Sequence, residues 1–265
     1  MPKVSIIMGV YNCAKTLRAS IDSILAQTFT DWEFIICDDG SKDETFVILQ
    51  EYGERYPEKF VILKNEKNCG LTKTLNICIA HCSPQVTYIA RMDGDDISLP
   101  KRLEKQITFL DKHKEIAFLG CNVNLFDENG RWGKRKLPER PNRKDFLWTS
   151  PFVHPTVIIR KQAISVVDGY HDCPQTNRCE DYDLWMRLYS IGLIGYNLQE
   201  ELFDYFEGRA SYGKRKYRYR FNEAKVRFHG YKTLGLLPQG FFYAIKPLLV
   251  GLIPAKVMIA IRKSG

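Results

Sequence analysis

Thr87-Tyr88-Ile89-Ala90-Arg91-Met92-Asp93-Gly94-Asp95-Asp96 is the stretch around which the rest of the chain is organised. It begins as a mostly apolar run with β-branched and aromatic residues, the pattern of a strand buried on both faces. It ends in three carboxylates around a glycine. An unpaired buried carboxylate is costly, so the cluster belongs at a strand end, where a cleft or a cation can satisfy it. At strand spacing Asp93 and Asp95 project to the same side, and Gly94 lets another backbone or a ligand come close. Two carboxylates on one side suit a hard divalent cation that keeps positions free for phosphate oxygens. The plain alternative is a strand followed by an acidic turn and the cap of a helix at Pro100. Asp96, on the opposite side, suits that capping role equally well.

The same pattern recurs upstream. Residues 3–10 read as an apolar strand ending in Gly9-Val10-Tyr11-Asn12, followed by an amphipathic helix over 14–27 with Leu17, Ile21, Ile24 and Leu25 on one face. Trp32–Cys37 is a second strand, ending in Asp38-Asp39-Gly40-Ser41, and a helix follows from about Asp43 with Ser41 and Asp43 available as caps. Phe60–Leu63 is a third strand, 65–70 a polar loop and Leu71–His81 a helix. Strand and helix thus alternate four times with short connections, which predicts a parallel, helix-covered sheet. Ligands of such sheets bind beyond the carboxyl ends of the strands, where three polar clusters fall in this chain. The second half is less regular: strands over 116–126 and 156–160, then an amphipathic helix at Glu180–Leu188 with acidic residues in its first turn, as the helix dipole favours.

At 265 residues, 45% hydrophobic and 26% charged, the composition is that of an ordinary globular protein with a sizeable core. The net charge of +8 is unevenly spread. Residues from Arg209 onward hold 13 Lys and Arg against one Glu, giving +12, which leaves −4 for residues 1–208. Eight cysteines are scattered with no CxxC pair, against a zinc site or a disulfide framework. Reduced thiols and a cytoplasmic setting are expected, and no signal peptide is visible.

These motifs together resemble family 2 glycosyltransferases of the GT-A fold, especially those of bacterial exopolysaccharide and O-antigen synthesis. The resemblance covers roughly residues 3–205 and is carried by Val4–Asn12, Asp38-Asp39-Gly40-Ser41, Asn68-Cys69-Gly70 with Asn76, Asp93-Gly94-Asp95-Asp96 and Glu180-Asp181. It implies an α/β fold, a Rossmann-like, mainly parallel central sheet flanked by helices, with a nucleotide-binding half at about 1–100 and an acceptor half at about 101–208. It also implies inverting transfer of a sugar from a nucleotide diphosphate, usually a uridine one, to an acceptor hydroxyl.

On that resemblance Asp39 accepts from the uracil N–H, with Val10, Tyr11 and Asn12 walling the base. Asp93 and Gly94 reach the ribose side, and Asp95 is the ligand of Mn²⁺ or Mg²⁺. Asn68, Gly70 and Lys73 touch the nucleotide, and Asp181 is the general base. Each has a structural alternative. Asp38 and Asp39 could cap the next helix, Lys73 could be a solvated charge, and Asp181 could cap its own helix. On the acceptor side Glu180 adjoins the base, Trp185 could stack on a sugar or lie in the core, and His154 could touch the acceptor or be a satisfied structural histidine.

The basic tail is not fixed by the family pattern. Its apolar part, 234–261, is broken by Lys246, Lys256 and three prolines, too short in any one piece to span a bilayer. Residues 209–265 are therefore expected to lie on an anionic membrane surface, making the protein peripheral on the inner face of the cell membrane, with a polyprenyl-diphosphate-linked saccharide as acceptor by family analogy. The alternative is that the tail packs on the catalytic domain. The rival function is a non-catalytic, membrane-docked binding module that retains the fold. A nucleotidyltransferase would need a Gly-rich basic loop after the first strand, which Tyr11-Asn12-Cys13 is not. Interleaved basic and aromatic residues at 214–221 suggest nucleic acid, but the apolar stretch after them fits a membrane better, so none is expected.

Overall fold

The computed structural model describes residues 1–208 and 217–251. The first four apolar runs become β1 (Val4–Val10), β2 (Trp32–Asp38), β3 (Phe60–Lys64) and β4 (Tyr88–Arg91). They are parallel neighbours in the order β3-β2-β1-β4. Their side chains alternate between two cores. Ile6, Met8, Phe34 and Ile36 face one layer with Leu17, Ile21 and Ile24 of α1 (Ala14–Leu25), Ile48 and Leu49 of α2 (Thr45–Arg55), and Leu103 and Ile107 of α4 (Arg102–Lys112). Ile7, Ile35 and Cys37 face the other layer with Leu75 and Cys78 of α3 (Leu71–Ala80). Burial on both faces is why these strands lack a polar stripe.

Beyond β4 the pairing changes character. The sheet continues β4-β8-β6-β9-β5, through β5 (Ile97–Ser98), β6 (Ile116–Asp127), β8 (Ile158–Arg160) and β9 (Ile194–Phe206), while β7 (Gly130–Arg135) forms a hairpin with β6. β8 runs antiparallel to both β4 and β6, β5 antiparallel to β9, and β6 is parallel to β9. The all-parallel character therefore stops at β4, and the sheet's second half is mixed. α5 (Lys161–Val166) and α6 (Glu180–Ser190) complete the part up to residue 208.

The described part of the tail forms α7 (Tyr217–Thr233) and α8 (Phe241–Gly251). α7 lies against α6, with Gly230 so close to Met186 that a Cβ there would stand 2.3 Å from its Sδ. Arg227 donates to the Leu147 and Trp148 carbonyls at 3.1 and 3.2 Å, and the Tyr231 hydroxyl donates to the Phe146 carbonyl at 3.0 Å. Val226, Tyr231, Leu234, Leu236 and Ala244 belong to the same core as α6. Residues 217–251 are thus built into the fold, as the packing alternative has it. The rest of the tail, 209–216 and 252–265, lies outside the described residues. Among the described residues no helix is long and apolar enough to cross a membrane.

Candidate active site

The carboxyl ends of β1, β2 and β4 meet along one edge. The Val10 carbonyl accepts from the Asp39 amide at 2.8 Å, joining the ends of β1 and β2. The loop after β1 is then braced on the loop after β2: the Asn12 amide donates to Ser41 Oγ and Asn12 Oδ1 accepts from the Lys42 amide, both at 2.9 Å. Asn12 adopts a positive φ of 53°, which asparagine tolerates better than most residues. Tyr11 is left 42% exposed, available as a flat wall.

Asp39 is buried and heavily used. Its carboxylate accepts from Asn65 Nδ2 and the amides of Cys69 and Gly70, all at 2.9 Å. Burial works to raise its pKa, but the hydrogen bonds from Cys69, Asn65 and Gly70 outweigh it and hold the carboxyl below its ordinary value. Asp39 therefore shapes the 65–70 loop and does not cap α2. Asp38 bonds the Ser41 amide, and Asp43 takes the cap near α2 through Thr45. Gly70, with φ at 93°, turns this loop into α3, placing Asn68 and Lys73 exposed beside it. Asn76 bridges α3 to the segment before α6 by paired bonds to the Tyr170 backbone, at 2.8 and 3.0 Å.

The acidic turn after β4 is fixed from below. The Ser20 and Thr16 hydroxyls each donate at 2.7 Å, to the carbonyls of Asp93 and Gly94 respectively. A Cβ on Gly94 would meet Val10 Cγ1 at 2.9 Å, so only glycine allows this close approach. Buried Arg91 ion-pairs with Asp93. Asp95 points toward solvent from a crowded position. Desolvation first and the Asp93 charge second push its carboxyl up to about 6. Asp96 does not cap α4. Its Oδ1 accepts from the Phe206 amide at 2.7 Å, its Oδ2 is buried without a hydrogen-bond partner, and desolvation raises its pKa well above normal.

Among the described residues no three His, Cys, Asp or Glu side chains form a cage for a metal. The local donors are instead Asp95, whose carboxyl is held up by burial and the Asp93 charge, and Asp93, which is paired with Arg91. That donor set fits Mg²⁺ or Mn²⁺, which complete their shells with water and phosphate oxygens.

Across the edge, the first turn of α6 brings Glu180 and Asp181 to a cleft that also exposes Asp93 and His154. Desolvation, then the Asp181 charge, lift the Glu180 carboxyl to about 7. His154 Nε2 lies 2.7 Å from the Tyr170 hydroxyl, and burial, helped by Arg91, drives its pKa well below the usual imidazole value. It is a neutral cleft residue. Trp185, by contrast, is 1% exposed with its ring stacked on Phe118 at 4.8 Å. It is core and cannot meet a sugar, because the α6 face carrying Leu184 and Leu188 is the buried one.

The glycosyl transferase family 2 model matches residues 5–167. The chain belongs to that family. EpsE of Bacillus subtilis (strain 168) is 40% identical to this transferase over 257 residues, 97% of this chain and 92% of EpsE. The amylovoran biosynthesis glycosyltransferase AmsE of Erwinia amylovora is 32% identical, covering 96% of both chains. Among solved structures, S. aureus TarS 1-349 in complex with UDP-GlcNAc superposes with a TM-score of 0.67 at 20% identity, over 91% of this chain and 73% of that one. The mannosyltransferase PcManGT of Pyrobaculum calidifontis, in complex with GDP-Man and Mn²⁺, gives 0.61 at 16% over 99% and 80%. Both likenesses establish the GT-A fold.

Residues that sequence reading missed also line the transferase's cleft: Trp132 and Arg135 of β7, Trp148, and Tyr205 and Glu207 at the end of β9. Gly130–Arg135 has no apolar periodicity, and nothing in the sequence marks it as a strand. A tryptophan in so polar a hairpin was the available signal.

Proposed function

We propose that this transferase moves a sugar, with inversion, from a uridine diphosphate sugar to a hydroxyl of a lipid-linked saccharide in exopolysaccharide or O-antigen synthesis. The observation that carries the reading is the convergence of Asp93, Glu180, Asp181 and His154 on one cleft beside the strand ends of the nucleotide half. The roles proposed are those that the family resemblance implies. Tyr11, Asn12 and the Asp39-shaped loop with Asn68, Gly70 and Lys73 form the base and phosphate side, while Asp93 faces the ribose.

Asp95, with Asp93 next to it, would hold Mn²⁺ or Mg²⁺. When bound, such an ion offsets the charge that builds on the departing diphosphate. Asp181 takes the proton from the acceptor hydroxyl as that oxygen bonds to the anomeric carbon. The bond from that carbon to the diphosphate oxygen breaks, and the electron pair leaves with the diphosphate. One displacement from the face opposite the leaving group inverts the centre. Neutral His154, tied to Tyr170, offers a fixed polar contact without adding charge.

For location, we infer peripheral attachment to the cytoplasmic membrane face through the tail. Its described part supports this: Phe221, Phe228, Phe241, Phe242 and Leu249 are exposed on α7 and α8 among basic residues. The deciding experiment incubates purified protein and Mn²⁺ with UDP-, GDP- and dTDP-sugars and measures hydrolysis or transfer. Turnover of one donor class, lost in Asp95→Ala, is expected. No turnover of any donor, or full turnover in EDTA, would overturn the reading.

A further inference from the structure

Two buried N–H donors border one small cavity without an acceptor between them. Arg91, the last residue of β4, is 3% exposed. Its Nη1 donates to the Met92 carbonyl and its Nη2 pairs with Asp93. Its Nε, however, is buried with no hydrogen-bond partner among the described residues, and the indole Nε1 of Trp185 on α6 is buried and unpartnered in the same way. A buried donor that loses its hydration and gains no acceptor is costly, and native folds leave few of them.

Arg91 and Trp185 line the same cavity, which leaves about 10 Å³ for the centre of a water molecule. That is close to the room one water takes. Tyr170 lines it too, and its hydroxyl lies 2.7 Å from His154 Nε2. The other described side chains around it are aliphatic, among them Ile7 of β1, Ile89 of β4, Ile159 of β8, Ile164 of α5 and Leu184 of α6. A wholly apolar hole of this size stays dry, but three polar groups are about what a buried water engages. A water that accepts from Arg91 Nε and Trp185 Nε1 keeps its own hydrogens to donate, and the Tyr170 oxygen is the acceptor at hand. Burial raises the Tyr170 pKa, so this hydroxyl stays neutral and can accept from the water while donating to neutral His154. Hydrogen bonds then run without a break from Asp93 through Arg91, the water and Tyr170 to His154.

We propose that the cavity holds one structural water, and that Arg91, Trp185 and Tyr170 are positioning residues that fix the Asp93 carboxylate for the nucleotide through it. They act through Asp93 and not on the substrate. The role of Asp93 rests on the transferase reading above, whereas the water does not.

Two measurements on the full chain test this. In the unaltered protein, water-selective NMR reads cross-relaxation from water to the Trp185 indole N–H, one of four indole signals. A long-lived buried water gives a strong peak with the sign of a rigidly held neighbour, and absence of that peak overturns the proposal. The second measurement is UDP affinity in Trp185→Phe and Tyr170→Phe, which keep an aromatic ring and remove the N–H and the hydroxyl respectively. Each should raise the UDP dissociation constant roughly tenfold, near the lower end of what a hydrogen bond to a charged group is worth. The double variant should bind no more weakly than either single one, and in an Asp93→Asn background neither change should matter. A role in packing alone would lower the melting temperature and leave UDP affinity unchanged, which overturns the proposal. Additive losses, or losses that persist without the Asp93 carboxylate, overturn it as well. If the unaltered protein binds no UDP, the transferase reading and the positioning role fail together, while the NMR signal still decides the water.

Discussion

Asp181 lies in the first turn of α6 and lines the cleft proposed to take the acceptor. Asp181→Asn should therefore leave UDP affinity near normal and lower transfer by about 10²–10⁴-fold, the usual size of a general-base effect. Steady-state kinetics beside UDP titration would check both halves. Its neighbour Glu180 makes a prediction about pH. The folded protein holds the Glu180 carboxyl near 7 against an ordinary 4.5, so the folded state binds that proton more tightly than the unfolded chain does. Its contribution to stability is whole below about 4.5 and is lost as pH rises toward 7. Glu180→Gln should flatten that decline, read as melting temperature between pH 4.5 and 8. Asp39 makes a third. Its removal orphans buried donors at roughly 1–3 kcal/mol each, so Asp39→Ala should lower unfolding free energy by about 3 kcal/mol in urea denaturation. At this scale the sequence names candidate residues but says little about their contacts. Asp39 follows a strand and precedes a helix, which suggests capping. Its partners Asn65, Cys69 and Gly70 come from a loop some 30 positions away, and no local pattern announces them.

The elements divide the same way. β1, β2 and β4 are legible because burial on both faces leaves an unbroken apolar run. β9 is not, because Asn197, Gln199, Glu200 and Glu201 interrupt it, and its register with β6 slips around Cys121 and Val123. That strand nonetheless supports the cleft from behind. A Cβ on Gly195 would stand 2.5 Å from both Phe118 and Phe152, rigid rings in the cluster around Trp185. Gly195→Ala should cost about 1–3 kcal/mol by overpacking, seen as a lower denaturation midpoint with an unchanged slope. α7 was predicted as surface-seeking for a sound reason: its basic residues dominate the sequence. The anchoring positions Val226, Arg227, Gly230 and Tyr231 include one arginine and one glycine, so no apolar stripe marks the packed face.

On the scale of the whole molecule, the tail helices are packed into the fold, and the membrane attachment is a proposal that has to be reconciled with that packing. One face of α7 belongs to the core, and exposed aromatics on α7 and α8 face outward. Cutting the chain near Phe206 would uncover Met186 and Tyr182, so loss of vesicle binding by such a fragment would carry little meaning. Phe241→Ser with Phe242→Ser is the cleaner change. It should reduce co-sedimentation with anionic vesicles severalfold while the melting temperature holds, whereas unchanged co-sedimentation would remove the membrane role. The bond from the Phe206 amide to Asp96 has a practical use of its own. It joins the acidic turn to the last residue of β9, so events among the carboxylates are reported by a backbone proton. In a nitrogen-edited NMR spectrum the Phe206 cross-peak should shift when diamagnetic Mg²⁺ or a nucleotide is added. The protein thus carries its own probe of site occupancy, with no label placed in the cleft.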